Sequence, residues 1–292
     1  MKILFSLLSV LFLSVISLGQ TTQIPDINFE QALIDKGYDN ILDGSVLTAS
    51  IDTVTYLQLY KKQISDLTGI EGFTALRSLD CAHNQISNLD LSNNTALNIL
   101  YCSHNKISNL IITNSTLLTR LHCDDNQLTN INLSNNTALN ILYCGENQIS
   151  SLDLTQNIAL TNLYSSNNLL SNIDLSKNVE LEDLRFNKNN LNSIDPSKNT
   201  KLKVLSCENN KLGSIDVSKN IALTHLYCSN NQLLNLDVSR NIDLARIICD
   251  NNQLNCLNIK NDNNTIISGI RGPHFSAINN PSLTCIEVDD PA

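Results

Sequence analysis

Basic side chains are scarce in this sequence. Its 292 residues include 19 lysines and arginines against 28 aspartates and glutamates, which gives a formal net charge of −9 at pH 7. The basic residues are scattered along the chain and form no cluster. Because a polyanion is bound by a basic stripe or patch, this composition excludes nucleic acid as an expected partner.

Signatures of catalysis are also missing. The sequence contains no GxSxG, HExxH, Walker A or paired CxxC motif. The acidic segment with Asp35, Asp39 and Asp43 lacks the spacing of a calcium-binding loop and is expected to hold solvated turn residues. His83 and His104 occupy equivalent places 21 residues apart, which predicts stacking on the surface. We therefore expect no enzyme activity, no cofactor and no metal.

Long apolar runs are confined to the N-terminus. Lys2 precedes an apolar run over residues 3–18, and the small residue Gly19 follows it. This pattern predicts a secretory signal peptide over residues 1–19, with a retained N-terminal anchor as the alternative. No later stretch approaches the ~20 apolar residues of a membrane span. The mature chain is therefore expected to be secreted or on the outer cell surface, without crossing a membrane.

The most informative feature is an internal repeat. Residues 75–263 divide into nine consecutive units of 21 residues, close to LxxLxCxxNxLxxLDLSxNxx, and a degenerate 22-residue unit over residues 53–74 precedes them. Positions are counted here from the first leucine of that pattern. The first position is leucine in every unit: Leu76, Leu97, Leu118, Leu139, Leu160, Leu181, Leu202, Leu223 and Leu244.

Units this short cannot bury their own apolar side chains, but stacked copies bury one another's. The pattern resembles the leucine-rich-repeat signature LxxLxLxxN/CxL. We therefore predict a leucine-rich-repeat solenoid curved into a horseshoe, with a parallel β-sheet of ten strands on its concave face. The convex face is expected to be extended or 3-10 helical, since about ten residues between strands leave little room for a helix. Asn at the ninth position is interpreted as structural.

Seven of the nine cysteines follow the repeat period at the inward sixth position: Cys81, Cys102, Cys123, Cys144, Cys207, Cys228 and Cys249. A ladder of this kind spreads its thiols along an axis, so it predicts small buried side chains and no metal site. Cys256 and Cys285 lie outside the ladder and could form a disulfide. A cysteine beyond residue 292 is an equal candidate partner for either of them.

Both ends of the array depart from the pattern. Residues 20–52 are expected to form an N-terminal cap, in which Asp26 caps a helix that runs from Ile27 to about Lys36. Residues 264–292 are expected to form an irregular coil and a last strand. That strand is predicted because Leu283, Ile286 and Val288 repeat the spacing of Leu244, Ile247 and Cys249. We interpret the chain as lacking its C-terminal part.

The outward fifth position is the candidate binding column. It holds four of the seven tyrosines, beside histidine and arginine. Because tyrosine and arginine recur as interface anchors, any ligand is predicted to dock on the concave sheet. The predicted binding residues, from this column and the strand position beside it, are Tyr101, Arg120, His122, Tyr143, Tyr164, Arg185, His225, Tyr227 and Arg246. The alternative is that tyrosine is simply favoured in strands.

Coils such as ALNILYCGENQIS, behind the segment IPDINFEQALIDKGYDN, resemble secreted leucine-rich-repeat proteins of Bacteroidetes bacteria and, more distantly, internalins. This resemblance implies a monomeric recognition or adhesion module that binds a protein or glycan ligand at a cell surface. Two alternatives stay open. The array could be a structural spacer of a surface layer without a specific ligand, or the targeting half of a larger protein.

Overall fold

The structure is a computed structural model that describes residues 19–262 and 275–289. Apart from Gly19, the predicted signal peptide lies outside the described residues, as does most of the predicted irregular coil. In the described part of the chain, no helix has the length and apolar character needed to cross a membrane.

A parallel sheet of eleven strands forms the main body of this β-solenoid, one strand per coil. Its strands are β3 (Tyr56–Gln58), β4 (Ser78–Asp80), β6 (Ile99–Tyr101), β8 (Arg120–His122), β9 (Ile141–Tyr143), β10 (Asn162–Tyr164), β11 (Asp183–Arg185), β12 (Val204–Ser206), β13 (His225–Tyr227), β15 (Arg246–Ile248) and β17 (Phe275–Ser276). The predicted leucine-rich-repeat fold is confirmed, with one strand more than predicted. The horseshoe curvature stays a prediction.

Apolar repeat positions build one continuous core. Equivalent residues are register partners in adjacent strands, as Leu163 and Leu184 are. Both are fully buried, together with Leu160 at the first position and Cys144 at the sixth. Each buried leucine contributes roughly 1.5–3 kcal/mol of transfer free energy, and that contribution exists only when neighbouring coils cover it. Stacking therefore stabilises each coil.

The ninth-position asparagines hold neighbouring coils together, as predicted. The side-chain nitrogen of Asn147 donates to the carbonyls of Cys123 (3.0 Å), Cys144 (3.2 Å) and Gly145 (2.9 Å). Its side-chain oxygen accepts a 2.9 Å hydrogen bond from the Leu128 amide. Each asparagine thus satisfies buried backbone groups of its own coil and of the coil before it.

The sequence analysis missed a second asparagine ladder. Asn157 at the nineteenth position is fully buried, and its side-chain nitrogen donates to the carbonyls of Leu133 (3.1 Å) and Asn136 (2.9 Å). Its side-chain oxygen has no hydrogen-bond partner among the described residues. The other members that share this arrangement are Asn94, Asn136, Asn178, Asn199, Asn220 and Asn241.

A left-handed residue follows each strand at the eighth position. His83 has a φ of 57°, Asp125 of 50° and Asn167 of 56°. Asparagine, aspartate and histidine tolerate this conformation better than most residues other than glycine, which accounts for their frequency there. The turn aims the next residue, the ninth-position asparagine, into the coil.

The opposite side of the solenoid is largely extended, as predicted. Five strands form two small parallel sheets there: β5 (Asn88–Asp90), β7 (Asn109–Ile111), β14 (Asn235–Asp237), β16 (Cys256–Asn258) and β18 (Cys285–Glu287). One 3-10 turn, Ile70–Gly72, lies in the first coil. Aspartates of this side stabilise its turns: Asp153 accepts hydrogen bonds from the amide and hydroxyl of Thr155, at 2.9 and 2.7 Å.

The N-terminal segment packs on the first coil. An antiparallel pair, β1 (Thr21–Gln23) and β2 (Ser45–Leu47), lies beside the helices α1 (Ile27–Ile34) and α2 (Thr48–Ile51). Asp26 caps α1 as predicted, because its Oδ1 accepts from the amides of Asn28 (2.9 Å) and Phe29 (3.0 Å). The acidic loop after α1 is fastened by Glu30, which accepts hydrogen bonds from the amides of residues 43–45.

The predicted position of the last strand was wrong. β18 pairs with β16 on the opposite side, Cys256 against Cys285, and the short strand β17 continues the main sheet after β15. The error has a physical cause. Leu283, Ile286 and Val288 also repeat the spacing of Leu254, Leu257 and Ile259, because both halves of the repeat place inward-facing, mostly apolar residues at i, i+3 and i+5. Only the strand pairing distinguishes the two alignments.

Candidate functional site: a stacked column on the sheet face

The solvent-facing side of the eleven-stranded sheet, here called the sheet face, presents the fifth repeat position. Side chains of a strand alternate between its two faces, so burying the fourth-position leucine turns the third and fifth positions outward. Parallel pairing in register then aligns the fifth positions of successive coils in one column, as with Tyr143 and Tyr164. Strands repeat about every 4.8 Å, a spacing close to that of stacked rings.

Five planar side chains of this column form a continuous stack, here called the stripe: Tyr101, His122, Tyr143, Tyr164 and Arg185. The ring centroids of Tyr101 and His122 lie 4.8 Å apart in an edge-on arrangement. His122 stacks on Tyr143 at 4.2 Å, and Tyr143 stacks on Tyr164 at 4.2 Å with an angle of 3° between the planes. The guanidinium of Arg185 lies 4.6 Å from the Tyr164 ring centroid.

Polar contacts hold both ends of the stripe. Arg120 donates a 3.1 Å hydrogen bond from Nη1 to the Tyr101 hydroxyl. At the other end, Asp183 accepts from Nε and Nη2 of Arg185, at 2.9 and 3.0 Å, and from the Tyr164 hydroxyl at 2.6 Å. The sequence analysis missed Asp183. Its place two residues before Arg185, on the same face of the strand, was the available signal.

Three side chains of the stripe have shifted pKa values. Burial, and then the charge of Arg120, lowers the pKa of His122 to about 4, so its ring is neutral. The hydrogen bonds that Arg185 donates to Asp183 raise the pKa of Arg185 despite partial burial. Burial and the Asp183 carboxylate raise the pKa of Tyr164. The stripe therefore ends in a permanently charged guanidinium that is paired with the Asp183 carboxylate.

The predicted site residues separate into two groups. Tyr101, Arg120, His122, Tyr143, Tyr164 and Arg185 belong to or contact the stripe. His225, Tyr227 and Arg246 lie on the sheet face beyond a break at Ser206, which occupies the fifth position of β12. In this second group, the rings of His225 and Tyr227 lie 6.2 Å apart.

The break at Ser206 is a depression of about 460 Å³. The residues that line it are Arg185, Val204, Ser206, Glu208, His225 and Tyr227. Val204, Ser206 and Glu208 were not predicted as site residues, because two of them are small and none is aromatic. The small side chains of Val204 and Ser206 leave the space that forms the depression.

A second, shorter stack lies where the strands end. The rings of His83 and His104 stack at 4.1 Å, which confirms the predicted stacking of these two residues. Tyr60 contacts His83 edge-on at 5.0 Å, and His104 forms a 2.6 Å contact from Nδ1 to the Asp125 carboxylate. These rings sit over backbone turns and support the edge of the sheet face.

The cysteines divide as the spacing predicts. All seven ladder cysteines are buried and unpaired, and burial raises the pKa of the Cys144 thiol well above its ordinary value. Cys256 and Cys285 are register partners whose Cα atoms lie 4.5 Å apart, within the range of disulfides. The pairing of β18 with β16 brings these two cysteines together.

Potential metal ligands converge at one place among the described residues. One ligand atom each from Cys256, Cys285 and Glu287 lies within 4.8 Å of the others. The predicted disulfide would use both sulfurs and leave a single carboxylate. The donor set therefore fits a cystine better than a resident metal ion.

Comparisons with known proteins agree with this architecture. No family model matches the chain. A segment of 80 residues, 26% of this chain, is 34% identical to Internalin J of Listeria monocytogenes, and it spans 9% of that protein. The functional domain of InlJ from Listeria monocytogenes, described as including a cysteine ladder, matches with a TM-score of 0.50 and 28% identity, over 92% of this chain and 71% of that domain.

Two further structures extend the comparison. The internalin InlF of Listeria monocytogenes matches over 91% of both chains, with a TM-score of 0.56 and 23% identity. The plant peptide hormone receptor RGFR1, in complex with RGF2, matches with a TM-score of 0.59 and 27% identity, over 65% of this chain and 34% of the receptor. The chain is therefore similar to internalins in its leucine-rich-repeat fold. Its origin in Bacteroidetes and its secretion stay predictions.

Proposed function

We propose that this chain is a recognition module of a secreted or cell-surface protein, and that it binds a protein ligand on the sheet face. The observation that carries the proposal is the stripe, in which four aromatic rings and a guanidinium form one uninterrupted contact surface. The surrounding protein is acidic overall, with a net charge of −9. The stripe differs from this acidic composition, because it consists of four rings and one guanidinium.

Preorganisation supports a binding role. Stacking fixes the ring of Tyr143 between His122 and Tyr164, and Asp183 fixes the guanidinium of Arg185. Ordering a flexible side chain on binding costs roughly 0.5–1.5 kcal/mol. Side chains that are already ordered avoid that cost, and tyrosine and arginine are enriched among the residues that dominate interface energies.

The comparisons support the class of ligand. The plant peptide hormone receptor RGFR1, which matches this chain at 27% identity, is in complex with RGF2. A binding role also agrees with the chemistry of the stripe. His122 is neutral and packs between the rings of Tyr101 and Tyr143, an arrangement that suits contact with a ligand better than proton transfer.

Binding of the fluorescently labelled chain to intact cells tests the proposal. The double variant Tyr143→Ala, Tyr164→Ala should lose at least tenfold in apparent affinity, because it removes the centre of the stripe. The matched control is Ile158→Ala, Ile221→Ala, which removes two large side chains that are 58% and 60% exposed outside the sheet face. Equal binding by wild type and the tyrosine variant would contradict the proposal.

The same assay distinguishes the ligand classes. Pretreatment of the cells with protease should abolish binding, whereas glycosidase treatment should leave it intact. Loss of binding after glycosidase alone would identify a glycan ligand and overturn the proposed protein ligand.

A further inference from the structure

Beyond the stripe, the column of fifth-position side chains is interrupted by one missing ring. Arg185 and Tyr227 occupy the same column on β11 and β13, with Ser206 of β12 between them. Two strand steps separate their backbones, which is about 9.6 Å at the usual spacing. The space between them is the depression of about 460 Å³, here called the slot.

The walls of the slot are suited to a planar group. One side of the Arg185 guanidinium lies over the Tyr164 ring at 4.6 Å, while its other side lines the slot. Asp183 holds that guanidinium through two hydrogen bonds, so the wall is fixed. Ring planes within the stripe repeat every 4.2 Å, and two such steps fit between Arg185 and Tyr227. One further ring would therefore continue the stack on both sides.

The floor of the slot offers a carboxylate. Ser206 is only 5% exposed, and its hydroxyl lies within hydrogen-bond distance of two acceptors, Oδ1 of Asn187 at 2.6 Å and Oε2 of Glu208 at 2.8 Å. Asn187 donates to the same Glu208 oxygen at 2.7 Å. Both side chains are neutral, so they orient the Glu208 carboxylate without cancelling its charge. A ligand that places a hydrogen-bond donor there would form a charge-assisted bond.

The same molecule already contains this combination one step away. The Tyr164 ring stacks on Tyr143 and against Arg185, while its hydroxyl donates a 2.6 Å hydrogen bond to the Asp183 carboxylate. The slot repeats those elements, with Arg185 and Tyr227 as walls and Glu208 as acceptor, but without the phenol.

We propose that the slot binds a tyrosine side chain of a protein partner, with its ring between Arg185 and Tyr227 and its hydroxyl donating to Glu208. This inference rests on the proposed function, since it names the ligand group that the sheet face selects. Binding of a tyrosine side chain in the slot does not depend on how tightly the stripe binds its ligand. The slot can therefore be tested with small probes that do not need the partner.

The test is a nuclear magnetic resonance titration of the isotope-labelled chain with N-acetyl-L-tyrosinamide. A single-ring ligand of this size is expected to bind with a dissociation constant on the order of millimolar, and shift changes should centre on Val204, Ser206 and Tyr227. N-acetyl-L-phenylalaninamide should bind at least threefold more weakly, because it has no hydroxyl for Glu208. N-acetyl-L-leucinamide should not bind.

Two variants test the geometry. Ser206→Tyr places a ring in the slot and should weaken tyrosinamide binding at least tenfold. Its matched control is Asp80→Tyr, which adds a tyrosine at the fifth position of β4 and should bind as wild type does. Glu208→Gln should remove the preference for tyrosinamide over phenylalaninamide, while the affinity for phenylalaninamide stays unchanged. This variant keeps the proposal testable if Ser206→Tyr misfolds.

The outcomes separate the two proposals. Any of three results would overturn the proposed tyrosine site. The chain could fail to bind tyrosinamide at the slot, folded Ser206→Tyr could bind it as well as wild type does, or methyl glucoside could bind at Ser206 in place of tyrosinamide. Loss of cell binding in the tyrosine double variant bears on the proposed function alone. A slot that binds its probe in a chain that binds no cells would leave the inference standing and remove the proposed function.

Discussion

The Tyr164 hydroxyl donates a 2.6 Å hydrogen bond to Oδ2 of Asp183, across the pairing of β10 with β11. The same carboxylate accepts two hydrogen bonds from Arg185. One aspartate thus fixes a ring and a cation on neighbouring strands, at the point where the stripe meets the slot. The end of the stripe is rigid because of this contact.

Replacing Asp183 by Asn should lower the pKa of Tyr164. Burial and then the hydrogen bond and charge of Asp183 raise that pKa, and removing a negative neighbour favours the phenolate. Titration of Cζ-labelled tyrosine by nuclear magnetic resonance measures the change. Asp153→Asn, on the opposite side of the solenoid, should leave the tyrosine titrations unchanged. An unaltered Tyr164 titration in Asp183→Asn would show that this contact does not persist in solution.

Stability should depend on the protonation of His122. Its pKa is lowered to about 4 in the folded chain, against an ordinary value near 6.5, so the unfolded chain binds the proton first. The free energy of unfolding should therefore fall as pH decreases from about 6.5 to 4. The ring is partly exposed, so the loss is on the order of 1 kcal/mol after allowance for solvent screening.

Urea denaturation at several pH values checks this dependence. His122→Phe keeps a ring in the stack but cannot titrate, so its stability should vary less over that window. Tyr143→Phe is the control, because it also alters one ring of the stripe and should retain the slope of the wild type. Identical slopes in His122→Phe and wild type would rule out His122 as the source.

The two asparagine ladders should differ in their contribution to stability. Asn147→Ala removes three donated hydrogen bonds and leaves the buried Leu128 amide without its acceptor, at a cost of roughly 3 kcal/mol. Asn157→Ala removes two donated bonds to carbonyls that also accept from backbone amides, and should cost roughly 1–2 kcal/mol. Chemical denaturation of both variants measures the two losses in the free energy of unfolding. A larger loss in Asn157→Ala than in Asn147→Ala would contradict this reasoning.

The ladder thiols should resist modification. Cys144 is fully buried and its thiol pKa is raised, which suppresses the reactive thiolate. Labelling of the native chain should therefore be slow, and unfolding should make it fast. Cys144→Ala should cost on the order of 1 kcal/mol, because a small packing defect is its main effect, and cell binding should be retained. Rapid labelling of most thiols in the native chain would contradict the buried ladder.

Thiol counting also tests the predicted disulfide. The chain has nine cysteines, of which seven lie in the ladder. Exported chain that is unfolded without reductant should expose seven thiols, and unfolding with reductant should expose nine. Cys256→Ser should leave the seven-thiol ladder unchanged and add one free thiol at Cys285. Nine thiols before reduction would rule out the bond between β16 and β18.

Much of the fold could be predicted because the repeat is regular. Leu163 and Asn168 lie at fixed positions of a 21-residue unit, and their burial follows from strand alternation and the turn after it. The second asparagine ladder, with Asn157 as an example, was missed although its period is visible, because only the asparagine of the ninth position was interpreted. The last strand was misplaced because Ile286 fits two alignments equally well.

The sequence by itself determined which residues face the core and which column faces solvent, since both follow from a period of 21 and a strand alternation of two. Only the tertiary structure decided how neighbouring coils meet. The stacking of Tyr143 on Tyr164, the hydrogen bond from the Tyr164 hydroxyl to Asp183 and the slot between Arg185 and Tyr227 are relations between residues 19 to 42 positions apart. Such relations depend on side-chain rotamers and on volumes across adjacent strands, which a pattern within one repeat does not specify.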